Sequence, residues 1–233
     1  MNQQKIDRRK AYYLMVDTET CNTIQNEKGL GTPFVYDLGI AVIDKRGAVY
    51  EQYSLLIKEV YGDMPDLMTS AYYASKLPQY EEERMAGLRK LITFYQAKAL
   101  VKSLCEKYSC KAIIAHNASF DLNSCNNTQR YLTKSTYRYF FPYGIEIWDT
   151  LKMAQDTICK QKTYIRWCEQ NGYMTKHKTP RPRATAEILY RYISGKDDFV
   201  ESHTGLEDVM IEKEIFAKCM AQHKKMRKKL FEN

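Results

Sequence analysis

Three short stretches place four carboxylates and one histidine in an order that can do metal chemistry. They are Val16-Asp17-Thr18-Glu19-Thr20, Ala115-His116-Asn117-Ala118-Ser119-Phe120-Asp121 and His203-Thr204-Gly205-Leu206-Glu207-Asp208. Residues two apart on a strand face the same side, so Asp17 and Glu19 project together from a strand that carries them. Two carboxylates about 4 Å apart at an effective dielectric of about 20 repel by roughly 4 kcal/mol, and a bound cation is the natural resolution.

The elements that must position these groups are legible from periodicity. Tyr12 to Val16 is a short apolar, aromatic-rich run and reads as a buried strand whose carboxyl end carries Asp17 and Glu19. Lys111 to Ala115 is a second apolar strand ending in His116 and Asn117, after which a helix begins near Ser119. Asp121 then falls in the first helical turn, where acidic side chains are favoured. That strand–turn–helix lies where ligands bind in open α/β sheets. Leu206, Val209, Met210, Ile211, Ile215 and Phe216 approximate one apolar helical face, interrupted early by Glu207 and Asp208. His203 precedes this helix in a loop, five residues before Asp208.

On these residues the chain resembles the DEDDh (DnaQ-like) 3′–5′ exonucleases of the ribonuclease H-like superfamily. Asp17 and Glu19 match the first motif, Asn117 to Asp121 the second, and His203 with Asp208 the third. Trp148-Asp149-Thr150-Leu151 resembles the Asp-Thr-Leu segment between the second and third motifs, and Tyr36-Asp37-Leu38-Gly39 the start of the second strand. The matched positions run from about residue 12 to about residue 216.

The resemblance implies a catalytic set of Asp17, Glu19, Asp121, Asp208 and His203. The four carboxylates would hold two divalent cations, Mg²⁺ or Mn²⁺, since oxygen-only ligands suit hard cations. Two such ions stabilise the attacking and leaving oxygens of an in-line displacement. His203 would accept the proton of the nucleophilic water, its ordinary pKa near 6.5 suiting it to neutral pH. The implied product is a nucleoside 5′-monophosphate released from a 3′ end. Thr18 and Thr20 are expected to help hold the terminal nucleotide. Asn117 is expected either to hydrogen-bond near the scissile phosphate or to hold its loop. Phe120 is a candidate base platform, although core packing is the expected role. His116 is expected to be structural, Asp149 to cap the helix starting at Thr150, and Glu207 to point away from the site.

Composition agrees with a polyanionic partner. Net charge is +8, and the basic residues gather at Lys160 to Arg183 and at His223 to Lys229. Nineteen tyrosines can stack on bases, although those at Tyr12, Tyr13, Tyr36 and Tyr53 read as packing. Seven cysteines without a Cys-x-x-Cys pair make a poor zinc pattern, and their odd number argues against a complete disulfide framework. Reduced thiols, no signal-peptide pattern and no apolar run long enough to span a membrane set the expectation of a cytoplasmic protein.

The expected fold is a single α/β domain over residues 1–233, with a core of about 12–220. Its sheet is a ribonuclease H-like mixed one: three antiparallel strands followed by parallel strands, flanked by helices. Val35–Asp44 and Ala48–Ile57 form a hairpin turned by Lys45-Arg46-Gly47. Cys21–Pro33 is a polar loop. Residues 80–108 read as one long helix, Ile145–Trp148 as a strand, Thr163–Asn171 and Ala184–Ile193 as helices, and Glu207 to about Lys229 as a last helix with a basic end. Residues 157–183 are a basic insertion expected to rim the nucleic-acid path. The substrate expected is a single-stranded 3′ end, DNA ahead of RNA, in a free-standing or proofreading-type enzyme that can partner a polymerase. The alternatives are an RNA-trimming exoribonuclease and a weakly catalytic, polymerase-associated binding subunit of the same fold.

Overall fold

The structure is a computed structural model describing residues 6–21, 33–69, 74–134 and 139–231; the expected loop between Cys21 and Pro33 lies outside the described residues. A six-stranded sheet organises the chain. Strands β1 (Tyr12–Cys21), β2 (Phe34–Asp44) and β3 (Val49–Ile57) form an antiparallel meander, β5 (Ala112–Ala115) runs parallel to β1, and β6 (Glu146–Asp149) parallel to β5. A three-residue β4 (Lys90–Ile92) joins the far edge parallel to β3, giving the order β4-β3-β2-β1-β5-β6. This is the mixed sheet the sequence implies, with β1 running on through Asp17 and Glu19 instead of stopping before them.

Helices cover both faces, so the central strands are apolar on both sides. Tyr12, Leu14 and Val16 pack with α3 (Phe94–Tyr108) and α4 (Ser119–Thr133), while Tyr13 and Met15 pack with α8 (Gly205–Ala221). The short α1 (Pro65–Met68) and α2 (Leu77–Met85) follow the meander, and α5 (Thr150–Asp156), α6 (Lys162–Gln170) and α7 (Ala186–Ser194) lie between β6 and α8.

Two expected helices are cut short. The run 80–108 is not one helix: α2 ends at Met85, Gly87 turns with φ +75°, and Leu91 and Ile92 belong to β4. Leu88 is 69% exposed, so its helical spacing is coincidental. The restart is marked at Thr93, whose side chain and Gln96 form a reciprocal capping box. The last helix ends at Ala221, not near Lys229. Like charges one turn apart disfavour continuing it through Lys224, Lys225 and Lys228. The tail instead covers the open edge of β6, with Asp149 N donating to Lys228 O (2.8 Å) and Leu230 N to Ile147 O (2.8 Å). Arg227 locks it by a 2.8 Å bond from Nε to Asp156.

Candidate active site

Asp17 and Glu19 lie on the same face of β1 as Tyr13 and Met15, the face covered by α8. What brings α8 to them is a contact only glycine permits. A Cβ on Gly39 would lie 2.1 Å from the Gly205 carbonyl carbon, and a Cβ on Gly205 would lie 2.6 Å from Gly39 N. Gly39 sits opposite Asp17 in the β1–β2 register, so the first turn of α8 is pressed against the strand pair at the level of the carboxylates. Asp208, in that first turn, faces inward and is buried.

His203 reaches the same place through a left-handed backbone (φ +52°) just before the helix. One ligand atom each from Glu19, His203 and Asp208 lies within 4.8 Å of the others. Asp121 arrives from the opposite face on the first turn of α4, buried, accepting a 2.8 Å bond from the Thr18 hydroxyl. The Thr18 side chain is thereby committed to Asp121. Asp17, Glu19, Thr20, Asn117, His203 and Asp208 line one open cavity of about 1170 Å³.

The electrostatics of this cavity are lopsided. Burial, reinforced by the charges of Glu212, Asp121, Asp208 and Glu19, pushes the Asp17 carboxyl well above the usual carboxylate range. Burial likewise pushes Glu19 up to about 8, Asp208 up to about 8 and Asp121 up to about 7. His203 is pushed down by burial and by the charge of Lys76, which keeps its imidazole neutral near pH 7. Its Nδ1 lies 3.9 Å from the Glu201 carboxylate, itself raised by burial to about 7.

Glu212 belongs to this cluster and is not among the residues the motifs single out. It sits four residues after Asp208 on α8, lines the cavity, and has a buried Oε2 without a hydrogen-bond partner among the described residues. The i, i+4 spacing from Asp208 was the available signal; an apolar face interrupted twice at that spacing marks two carboxylates turned the same way. A lone-pair-rich set of buried carboxylate oxygens, one of them unpartnered, fits hard divalent cations, and the charge of Lys76 offsets the burial of Glu19 and Asp208 only in part.

The neighbours sort clearly. Asn117 (φ +65°) lines the cavity while its backbone N–H donates to Asp149 Oδ1 at 3.0 Å. The same Asp149 oxygen caps α5 by accepting from Leu151 N at 2.9 Å. His116 is structural: Nε2 donates to Ala184 O (2.8 Å), Nδ1 accepts from Thr150 Oγ1 (2.9 Å), and burial lowers its pKa. Phe120 is not core: it is 43% exposed on the cavity wall. Glu207 points away, onto Arg89 at 3.0 Å. The expected basic insertion contributes α6 and then a narrow hairpin closed by Thr175 N to Arg181 O (2.8 Å) and Arg183 N to Tyr173 O (2.9 Å). Arg181 and Arg183 from this hairpin form a positive wall over the acidic floor.

No protein-family model matches the sequence, and no curated protein matches it. Solved structures do. The nuclease domain of 3′hExo, a DEDDh family member solved bound to rAMP, aligns over 94% of this chain and 96% of its own, with TM-score 0.60 and 12% identity. Cell-death related nuclease 4 (CRN-4) aligns over 93% of this chain and 66% of its own, with TM-score 0.54 and 11% identity. E. coli exonuclease I, solved with a 5cy-dT13 oligonucleotide, aligns over 91% of this chain and 40% of its own, with TM-score 0.54 and 16% identity. The chain thus has the ribonuclease H-like fold of the DEDDh exonuclease domains, in agreement with the resemblance read from its motifs. Among the described residues, no helix is long and apolar enough to cross a membrane.

Proposed function

We propose that this protein is a metal-dependent 3′–5′ exonuclease that removes nucleoside 5′-monophosphates from single-stranded 3′ ends, with DNA the favoured substrate. The observation that carries this reading is the convergence of Asp17, Glu19, Asp208 and His203 on one cavity, with Asp121 locked against Thr18 beside it. Asp17, Glu19, Asp121 and Asp208 would hold two divalent cations, Mg²⁺ or Mn²⁺. When bound, these supply a more acidic water and neutralise charge on the phosphoryl oxygens.

The remaining work falls to the chain's own side chains. His203, neutral because its pKa is lowered, accepts the proton of the attacking water at its imidazole, and Glu201 beside it stabilises the imidazolium formed. The water oxygen bonds to phosphorus as the bond to the 3′ oxygen breaks. That oxygen takes up a proton to leave a shortened strand with a 3′ hydroxyl. The exposed face of Phe120 offers a stacking surface for the terminal base. Asn117 and Thr20 offer polar groups at its sugar and phosphate, while Arg181 and Arg183 meet the phosphates upstream.

The test is a paired assay on 5′-labelled single-stranded DNA and RNA with Mn²⁺ or EDTA, using wild type and Asp17→Asn. A ladder shortening from the 3′ end, dependent on metal and absent in the variant, is the expected outcome, and the two polymers rank the substrate. Tight binding without cleavage of either would remove the exonuclease reading in favour of a binding subunit.

A further inference from the structure

We infer a second binding surface for the same nucleic-acid strand, in a basic, tyrosine-lined cleft at the far end of β1; the inference rests on the exonuclease reading above. This cleft, about 2120 Å³, shares no lining residue with the catalytic cavity. It runs along the part of β3 that β4 leaves uncovered, because β4 pairs only with Leu55 to Ile57. Five cations line it: Arg8, Lys10, Lys90, Lys107 and Lys111.

Its two carboxylates are already neutralised. Glu51 accepts from Lys107 and from the hydroxyls of Tyr108 and Tyr53, and Glu106 faces Lys102 at 3.8 Å. Lys10 is shared between Asp44 and the Tyr50 hydroxyl. Arg8, Lys90 and Lys111 are exposed and have no side-chain partner among the described residues. The cleft therefore presents uncompensated positive charge beside the part-exposed rings of Tyr50 and Tyr53, which is the pairing of groups that holds a single strand by phosphate contact and stacking. An acidic peptide on the open β3 edge is the competing occupant. The wide spread of the cations, from the segment before β1 to the first residue of β4, the last turn of α3 and the residue before β5, matches a chain of phosphates better than one edge-paired strand.

The need for such a surface follows from the catalytic cavity, whose floor is acidic. Its charge works against a polyanion except at Arg181 and Arg183 on its wall, so a second basic surface adds affinity for a strand long enough to reach both. From Tyr12 to Asp17 is roughly 16 Å along β1. β1 is buried, so a nucleic acid crosses from one place to the other over the surface by a longer path, and only long strands reach both. Length-dependent affinity is the signature.

The experiment uses the full chain with Arg8→Glu, Lys90→Glu and Lys111→Glu combined. Binding of fluorescent single strands is measured in an Asp17→Asn background across a salt series. A strand of about 24 nucleotides should lose at least about tenfold in affinity, and its salt slope should fall by about 2. A strand of about four nucleotides should bind unchanged. Hydrolysis of p-nitrophenyl thymidine 5′-monophosphate with Mn²⁺, in the Asp17 background, should match wild type. An unchanged affinity and slope for the long strand would overturn the inference. So would variant-sensitive binding of polyglutamate without variant-sensitive binding of the strand. Failure of the wild type to hydrolyse the chromogenic ester would instead overturn the exonuclease reading, leaving the binding result to stand by itself.

Discussion

Asp37 and Asp17 lie on neighbouring strands, and both carboxyls are withdrawn from water, but their surroundings differ in sign. One oxygen of Asp37 accepts from Arg89 (3.2 Å), the Tyr80 hydroxyl (2.9 Å) and Gly205 N (2.9 Å). Arg89 is itself buried, bonded to Ser54, Glu83 and Glu207, and stacked on the Tyr80 ring at 4.5 Å. Burial raises the Asp37 carboxyl, and Arg89, Gly205 and Tyr80 pull it back. Desolvation opposes the Arg89 charge, but Asp37 and Glu207 outweigh it and raise its pKa. The direction that carries is the guanidinium's, because arginine stays protonated in proteins. Around Asp17 every nearby charge reinforces the burial instead of opposing it.

The contrast separates an ion cluster built around a buried arginine from a cluster of buried carboxylates without one. The Asp37–Arg89 cluster contains its own counter-charge and spends it on architecture, since Asp37 holds the first N–H of α8. From Arg89 the contacts continue through Glu207 to the Thr204 hydroxyl (2.7 Å), then Ser202 and Asp208. At the Asp17 cluster the charge of Lys76 pulls Glu19 and Asp208 down without restoring them to the ordinary carboxylate range, and a divalent cation has the sign and hardness to complete the set.

The comparison breaks most visibly at its centre. Asp17→Asn should lower turnover by on the order of 10³-fold while raising the melting temperature in EDTA, because it removes a charge that nothing opposes. A single-turnover assay and a thermal melt read both; a lowered melting temperature would mean that Asp17 is structurally paired. Arg89→Ala is the mirror experiment and should cost about 3–5 kcal/mol in urea unfolding, since it strands Asp37 without its cation. A loss under about 1 kcal/mol would detach the cluster from the seating of α8.

His203→Ala should reduce turnover by about 10²-fold and leave strand binding unchanged. Full activity would remove His203 from the proton transfer.

A gentler probe is pH. Asp208 and Glu19 have folded pKa values of about 8, above their ordinary values near 4. The stability they contribute is complete below about pH 4 and is lost as pH rises towards 8, because the folded state binds the extra protons. The metal-free protein should therefore be less stable at pH 8 than at pH 5, by on the order of a few kcal/mol. Mg²⁺ should close most of that gap. Equal melting temperatures at both pH values in EDTA would contradict it. The smallest effect belongs to the hairpin. Replacing Lys176, Lys178, Arg181 and Arg183 with alanine should flatten the salt dependence of binding by up to about 3 in slope. An unchanged slope would take this rim off the strand's path.

Much of this was legible in advance, for identifiable reasons. The β1 residues alternate between two buried faces, so the placement of Asp17 and Glu19 on one side follows from strand period alone. Asp121 in the first turn of α4 and Asp149 as the cap of α5 follow from local hydrogen-bond chemistry, which acts over a few residues. Where the reading failed, a distant partner had overridden local pattern. Arg89 is drawn into the sheet by Asp37, 52 residues away, and the helix expected across it breaks at Gly87. The basic tail leaves its helix for the open edge of β6.

By itself, then, the sequence pointed to the antiparallel meander, the strand that carries Asp17 and Glu19, the helix start at Asp121 and the histidine before α8. These depend on periodicity and on spacing within one element. Tertiary structure alone decided that Gly39 and Gly205 touch, that Glu212 joins the cluster, that Phe120 faces the cavity, and that Asp37 has a buried arginine where Asp17 has none. Each of those depends on which backbone approaches which across the sheet, and long-range approach leaves no local period in a chain.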